Sequence, residues 1–216
     1  SENAQILEKP TAPERKIAVF GDSISEGMGI LNGGGLPMNE DPTLSYASLA
    51  ADAFGAEVSD AVAEGGIGVT VCGKGYTIGE VLDYVDYHNL GTEAENALYS
   101  FDSNPDAVVL NIGTNDGASW NNTYRPIVPS EFVAGLKSLI KKIRSKYPEK
   151  PIFYVYGMME IGDYAKSSIE LALAELQAEG VTDIYFIPVS CTKANGEISY
   201  AAHPNALGHS RVSKHL

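Results

Sequence analysis

The chain has 216 residues, 44% of them hydrophobic and 20% charged, a size and balance that suit one packed domain and exclude a disordered tail, a coiled coil or a collagen-like chain. Fifteen Lys and Arg against 28 Asp and Glu leave a net charge of −13, which opposes binding to duplex nucleic acid or to an anionic membrane. No window approaches the ~18 uninterrupted apolar residues of a membrane span, Ser1 to Pro13 lacks the basic-then-apolar pattern of a signal peptide, and the chain reads as soluble.

Residues 1–14 are polar with two prolines and read as a flexible lead-in, leaving 15–216 as a single domain. Lys16 to Phe20 is a short apolar run ending at Gly21, which predicts a buried strand, and Ser45 to Phe54 carries apolar residues at helical spacing. Glu57 to Val62 and Ala107 to Ile112 predict the next strands, and Glu131 to Tyr147 a helix stopped before Pro148. Ile152 to Tyr156, Tyr164 to Ala178 and Ile184 to Val189 follow as strand, helix and strand. Strands alternating with helices imply an α/β domain, a five-stranded parallel sheet covered on both faces with right-handed crossovers. Two long irregular segments, Asn32 to Pro42 and Gly73 to Pro105, are expected to shape a substrate rim. Five cations on the predicted helix, Lys137, Lys141, Lys142, Arg144 and Lys146, read as a solvated face. Cys72 and Cys191 are too few for a disulfide framework or a structural zinc, and a single bridge between them stays open.

In such a sheet, ligands sit outside the carboxyl ends of the strands, so the residues following each strand carry the functional reading. The first strand runs into Gly21-Asp22-Ser23, where a serine beside a bend can present its hydroxyl and its N–H, or alternatively start a helix. The third runs into Gly113-Thr114-Asn115-Asp116, where an amide side chain can donate into the same crevice or simply make a polar turn. After the fifth comes His203-Pro204-Asn205, with Gly208 and His209 beyond, which suits a general base or a helix start. Asp22 and Asp116 read as holding local turns. Gly68 to Gly75 nearly matches a phosphate-binding loop, but Gly75 stands where the magnesium-ligating hydroxyl belongs. An FMN site is poorly served by the acidic segment from Gly21 to Gly29. Four histidines, His88, His203, His209 and His215, are too few for a binuclear metal centre, so no metal and no cofactor is expected.

Together, the three blocks resemble the SGNH, or GDSL-type, serine hydrolases over nearly the whole chain. The resemblance implies a three-layer flavodoxin-like fold, Ser23 as nucleophile and His203 as its base. It also implies an oxyanion hole of the Ser23 N–H, the Gly66 N–H (Gly65 as fallback) and the Asn115 side chain. Most members of that family carry an aspartate three residues before the histidine, and here that residue is Tyr200. Glu197 or a backbone carbonyl is then the third member, and Ser-His dyads of the latter kind occur in carbohydrate esterase family 2. The chain resembles that family's catalytic domain in its Lys-Ile-Ala-Val-Phe-Gly-Asp-Ser opening and His-Pro-Asn ending, while the family's usual N-terminal β-sandwich has no room here.

The resemblance implies an esterase removing a small acyl group, acetyl first, from a glycan or small-molecule ester; Tyr76, Trp120 and Tyr124 fall in loops where their faces either stack on sugars or pack over the loop. The alternatives are a lipase-, lysophospholipase- or thioesterase-like hydrolase, and a catalytically silent glycan-binding module of the same fold. A bacterial source fits an acidic glycan esterase, and the compartment stays open between extracellular and cytoplasmic, with secretion favoured although the chain carries no export signal. Asn121-Asn122-Thr123 matches a glycosylation sequon, which matters only in a secreted eukaryotic protein. Nothing in the sequence sets the oligomeric state.

Overall fold

A computed structural model describes residues 11–31, 33–85, 96–117, 127–161 and 164–216. Its centre is a five-stranded, all-parallel sheet of β1 (Arg15–Asp22), β2 (Ala56–Glu64), β3 (Ala107–Asn111), β4 (Ile152–Tyr156) and β5 (Ile184–Pro188), in the spatial order β2-β1-β3-β4-β5. The sheet agrees with the alternating pattern in the sequence. Because the chain leaves β1 to one side for β2 and returns to its other side for β3, the order reverses at β1. In open parallel sheets such a reversal is where ligands bind, beyond the carboxyl ends of the two strands.

Side chains alternate across the sheet, so successive residues of each strand enter different cores. Ala18, Phe20, Val108, Leu110, Ile152 and Tyr154 lie with Phe132, Leu136, Ile140 and Ile143, whereas Val19, Val109 and Val155 lie with Tyr46, Ala47 and Val212. Of the helices, α1 (Ser23–Glu26) follows β1, and α2 (Tyr46–Phe54) lies on the second face. On the first face are α3 (Ile78–Val81), α5 (Pro129–Lys146) and α6 (Lys166–Ala178). Two short helices, α4 (Thr114–Gly117) after β3 and α7 (Ala206–Val212) packed on α2, complete the set used here.

The buried stripe of α5, Phe132, Val133, Leu136, Leu139, Ile140 and Ile143, has the spacing of one helical face, and Pro129 stands in its first turn where a missing N–H costs nothing. Each such side chain contributes about 1.5–3 kcal/mol by leaving water. The opposite face is ionic: Lys137 reaches Glu175 and Glu179, Lys141 reaches Glu179, and Lys142 and Lys146 share Asp83. Arg144 donates to the carbonyls of Lys150 and Thr182.

Some boundaries differ from the sequence expectation. β1 runs on to Asp22 and β2 to Glu64, because Gly21 pairs with Ala63 and Asp22 with Glu64, a register that local periodicity does not encode. Between Ile17 and Ala18 the register skips one residue of β2, a bulge at Ser59. Helix α2 starts one residue later than expected and α6 two, while β4 has the expected bounds. Cys72 and Cys191 are not joined by a disulfide.

Candidate active site

The serine arrives at the crevice because β1 stops at Asp22 and the chain turns at once into a single helical turn. Asp22 is the cap of α1, its Oδ1 accepting the Ile24 N–H at 3.0 Å, and Ser23 is the first helical residue. Gly27, in the left-handed conformation, closes the turn. The helix thus starts here with Asp22, not the serine, as its cap, and the Ser23 hydroxyl is turned toward His203. Ser23 is 1% exposed and its Oγ lies 2.7 Å from Nε2 of His203, itself 2% exposed.

His203 is held by main chain. Its Nδ1 lies 3.2 Å from the Tyr200 carbonyl, which also accepts the His203 N–H at 2.8 Å. A carbonyl only accepts, so Nδ1 carries the proton and Nε2 is left to accept from the serine. The turn Tyr200–Ala202 that presents this carbonyl is strained, with Ala201 and Ala202 at φ 47° and 65°. Such non-glycine residues cost about 1–3 kcal/mol each and persist where the surroundings enforce them. Here the surroundings are specific: the Ser199 N–H donates to the His203 carbonyl at 2.8 Å, and Ser199 Oγ donates to the Gly29 carbonyl at 2.8 Å. The Tyr200 ring lies directly over Gly35, where any side chain would collide with it.

Burial lowers the His203 pKa below the usual 6.5, and the carbonyls of Tyr200 and Ala201 oppose that shift without cancelling it. The shift favours the neutral imidazole. Glu197, the other third-member alternative, has its carboxylate committed elsewhere. It pairs with Arg211 and accepts from the Thr192 N–H at 3.0 Å and from Asn195 Nδ2 at 3.4 Å.

Asn115, the second residue of α4, is 3% exposed. Its Nδ2 donates to the Ile67 carbonyl at 2.7 Å and to Asp22 Oδ2 at 3.2 Å, which ties the end of β3 to the turn after β2 and to the end of β1. The turn contains Gly65 and Gly66 and passes against Ser23, since a Cβ on Gly65 would sit 3.5 Å from the Ser23 Cβ. Gly66 has φ 81°, a conformation glycine adopts without strain. Among the described residues, neither the Ser23 N–H nor the Gly66 N–H donates to another group. Asp116 holds the continuation of this turn, accepting from the N–H groups of Val69 and Thr70 at 3.0 and 2.7 Å and from Thr70 Oγ1 at 2.6 Å.

The near-match to a phosphate loop has a packing origin, because Gly73 lies so close to the Gly66 carbonyl that a Cβ would approach it to 2.6 Å. Tyr76 donates to Glu64, which also pairs with Lys74. Trp120, Tyr124, the sequon at Asn121 and His88 lie outside the described residues. No group of three or more potential metal ligands occurs among the described residues, and no described helix is long and apolar enough to cross a membrane.

Sequence reasoning passed over His209, which is fully buried on α7. Its Nδ1 accepts the Tyr46 N–H at 3.1 Å, the Tyr46 hydroxyl meets Ser25 Oγ at 3.1 Å, and burial pushes its pKa down to about 3. This chain of contacts joins α7 to the turn that carries Ser23. Its only sequence signal is the histidine six residues after His203.

A buried serine and imidazole in contact at the switch point of a parallel sheet define the class of SGNH acyl hydrolases. The chain belongs to the GDSL-like lipase/acylhydrolase family, whose family model matches residues 19–211. It is 28% identical over 227 residues to the cellulase/esterase CelE of Acetivibrio thermocellus, an alignment spanning 99% of this chain and 26% of that protein. A family two carbohydrate esterase from Clostridium thermocellum, solved in complex with cellohexaose, superposes with a TM-score of 0.83 at 26% identity, over 98% of this chain and 65% of that one. An acetyl xylan esterase, Est2A from Butyrivibrio proteoclasticus, shares the fold with a TM-score of 0.81 at 22% identity, over 98% of this chain and 64% of that one. The chain thus spans about a quarter of the curated relative and just under two thirds of each of these structures.

Proposed function

We propose that the protein is a serine esterase that removes small acyl groups, acetyl above all, from carbohydrates. The observation that carries the reading is the 2.7 Å contact between Ser23 Oγ and His203 Nε2, with Asn115 and the Gly66 turn at the same edge of the sheet. His203 takes the hydroxyl proton as Ser23 Oγ attacks the ester carbonyl, and the tetrahedral oxyanion is received by the N–H groups of Ser23 and Gly66 and by Asn115 Nδ2, which turns one of its two hydrogens to it from Asp22 Oδ2. His203 then returns the proton to the departing sugar oxygen, and a water activated by the same imidazole releases the acyl group. The Tyr200 carbonyl orients the base throughout. These steps use protein groups and water alone.

The choice of a small acyl group on a sugar is supported by the relatives, among them the esterase solved with cellohexaose and the acetyl xylan esterase. The test is hydrolysis of p-nitrophenyl acetate, butyrate and octanoate, and acetate release from acetylated xylo- and cello-oligosaccharides, by wild type and Ser23→Ala. The expected result is acetate turnover that the substitution abolishes. Preference for octanoate would assign a long-chain hydrolase, and a folded wild type inert on every ester would leave a glycan-binding module.

A further inference from the structure

We propose that Lys74 acts on the reaction through its charge, offsetting the acidic side chains gathered around the position of the developing oxyanion. The inference rests on the proposed esterase site and concerns the field in which its anion forms.

An acidic chain that generates an anion faces a local difficulty, because fixed negative charge nearby opposes the tetrahedral state. Four acids converge here. Asp22 is the residue before Ser23, and Asp116 holds the Val69 and Thr70 N–H groups of the loop that follows Gly66. Glu26, in the same helical turn as Ser23, brings Oε2 to 3.1 Å from where a Cβ on Gly65 would stand. Glu64 ends β2 opposite Asp22, immediately before the Gly65-Gly66 turn. Burial raises the pKa of Asp22, to about 7, and that of Glu26. Neighbouring carboxylates add to both shifts: Glu26 and Asp116 act on Asp22, and Glu40 and Glu64 act on Glu26.

The cation set against this group is Lys74. Its Nζ lies 2.8 Å from Glu64 Oε1, and the Tyr76 hydroxyl donates to the same oxygen at 2.8 Å, which fixes the carboxylate in place. The lysine stem passes Gly66 so closely that a Cβ there would meet Cε at 3.8 Å, which puts the ammonium within about 8 Å of the Gly66 nitrogen. With Lys74 37% exposed, such a pair adds little to the stability of the fold. Its charge counts for more in the reaction. Without the ammonium, Glu64 would stand as a carboxylate without its cation beside the turn that donates to the oxyanion, and its repulsion would act on the transition state.

The experiment is steady-state kinetics on p-nitrophenyl acetate, a neutral substrate, for Lys74→Met, Lys74→Arg and the double variant Lys74→Met/Glu64→Gln, each shown to be folded by thermal denaturation. Ser23→Ala runs as the reference. Lys74→Met is expected to lower kcat about fivefold to tenfold with KM unchanged, the loss of one charge at this range in a partly screened site. Lys74→Arg, which keeps the charge, should stay within about twofold of wild type, and the double variant, which removes both charges, should regain most of the loss. An unchanged kcat in Lys74→Met, or a change in KM alone, would overturn the proposal. So would a double variant as slow as Lys74→Met, which would reduce the pair to a clasp on the loop. A Ser23→Ala protein that still turns over acetate would instead overturn the esterase site itself, and the two failures are therefore distinct.

Discussion

Replacing Gly73 by alanine tests the position of Gly66 without touching any reacting group. Gly73 does not have a positive φ, so alanine carries no conformational penalty there, and the effect is purely steric. The added methyl would stand 2.6 Å from the Gly66 carbonyl oxygen and 3.3 Å from its carbonyl carbon, and both neighbours are backbone. Relieving that contact requires the two segments to part by about half an ångström or more.

Overpacking of this kind costs about 1–3 kcal/mol, which in a chain of this length lowers Tm by roughly 2–12 °C. The same displacement moves the Gly66 N–H away from the oxyanion, and small misplacements of a preorganised donor cost on the order of 10-fold to 100-fold in kcat. Gly75, two residues on, is the control, since a Cβ there meets nothing within 4 Å and its φ is not positive. Steady-state kinetics on p-nitrophenyl acetate and thermal denaturation of both variants decide the matter. A Gly73→Ala protein with a lower Tm and a kcat within twofold of Gly75→Ala would refute the placement of Gly66 in the reactive centre.

Three further outcomes are expected. Because burial lowers the His203 pKa and the neutral imidazole is the active form, kcat/KM should rise with pH to a plateau, with its acid midpoint below 6.5; a midpoint above that value in a pH–rate profile contradicts the site's electrostatics. Glu197→Gln should retain kcat within about twofold, since the carboxylate serves Arg211 and the Thr192 loop, while urea denaturation reads a loss of about 1–3 kcal/mol; a 100-fold drop in kcat would make Glu197 the acid partner after all. His209, with its pKa held near 3, is neutral in the fold and protonates on unfolding, so its stabilising contribution is complete above pH 6.5 and is lost as pH falls from there toward 3. Comparison of stability between pH 7 and 4 should show a steeper decline for wild type than for His209→Asn, and parallel declines would exclude the effect.

What was legible in the sequence follows from the range of the interactions involved. The strands announce themselves because a sheet covered on both faces needs continuous apolar runs, and α5 because its apolar stripe, from Phe132 to Ile143, repeats over about three turns. Helices α1, α3 and α4, of four residues each, are too short to show a period, and they form because a cap or a tertiary contact ends a loop there. Ser23, Asn115 and His203 were readable since each follows a strand within a compact motif, and the structure brings Ser23 and His203 into hydrogen-bond contact and sets Asn115 against Asp22. The group that orients His203 left no letter to read. It is a carbonyl, aimed by two alanines in a conformation that sequence assigns to glycine or asparagine. Asp22 was visible as a turn former, but its second oxygen faces a residue 93 positions away, which only the fold discloses.

The Tyr200 carbonyl behind His203 also changes what evolution and acid can do to the site. A carboxylate partner would take up a proton at low pH and release the imidazole, whereas a peptide oxygen does not ionise in that range and keeps its grip. Nor does any exchange of the side chain at position 200 delete it, since every amino acid brings the same oxygen. The half-exposed Tyr200 ring packs over Gly35, while the atom that meets His203 is main chain and is kept by whatever side chain stands at this position.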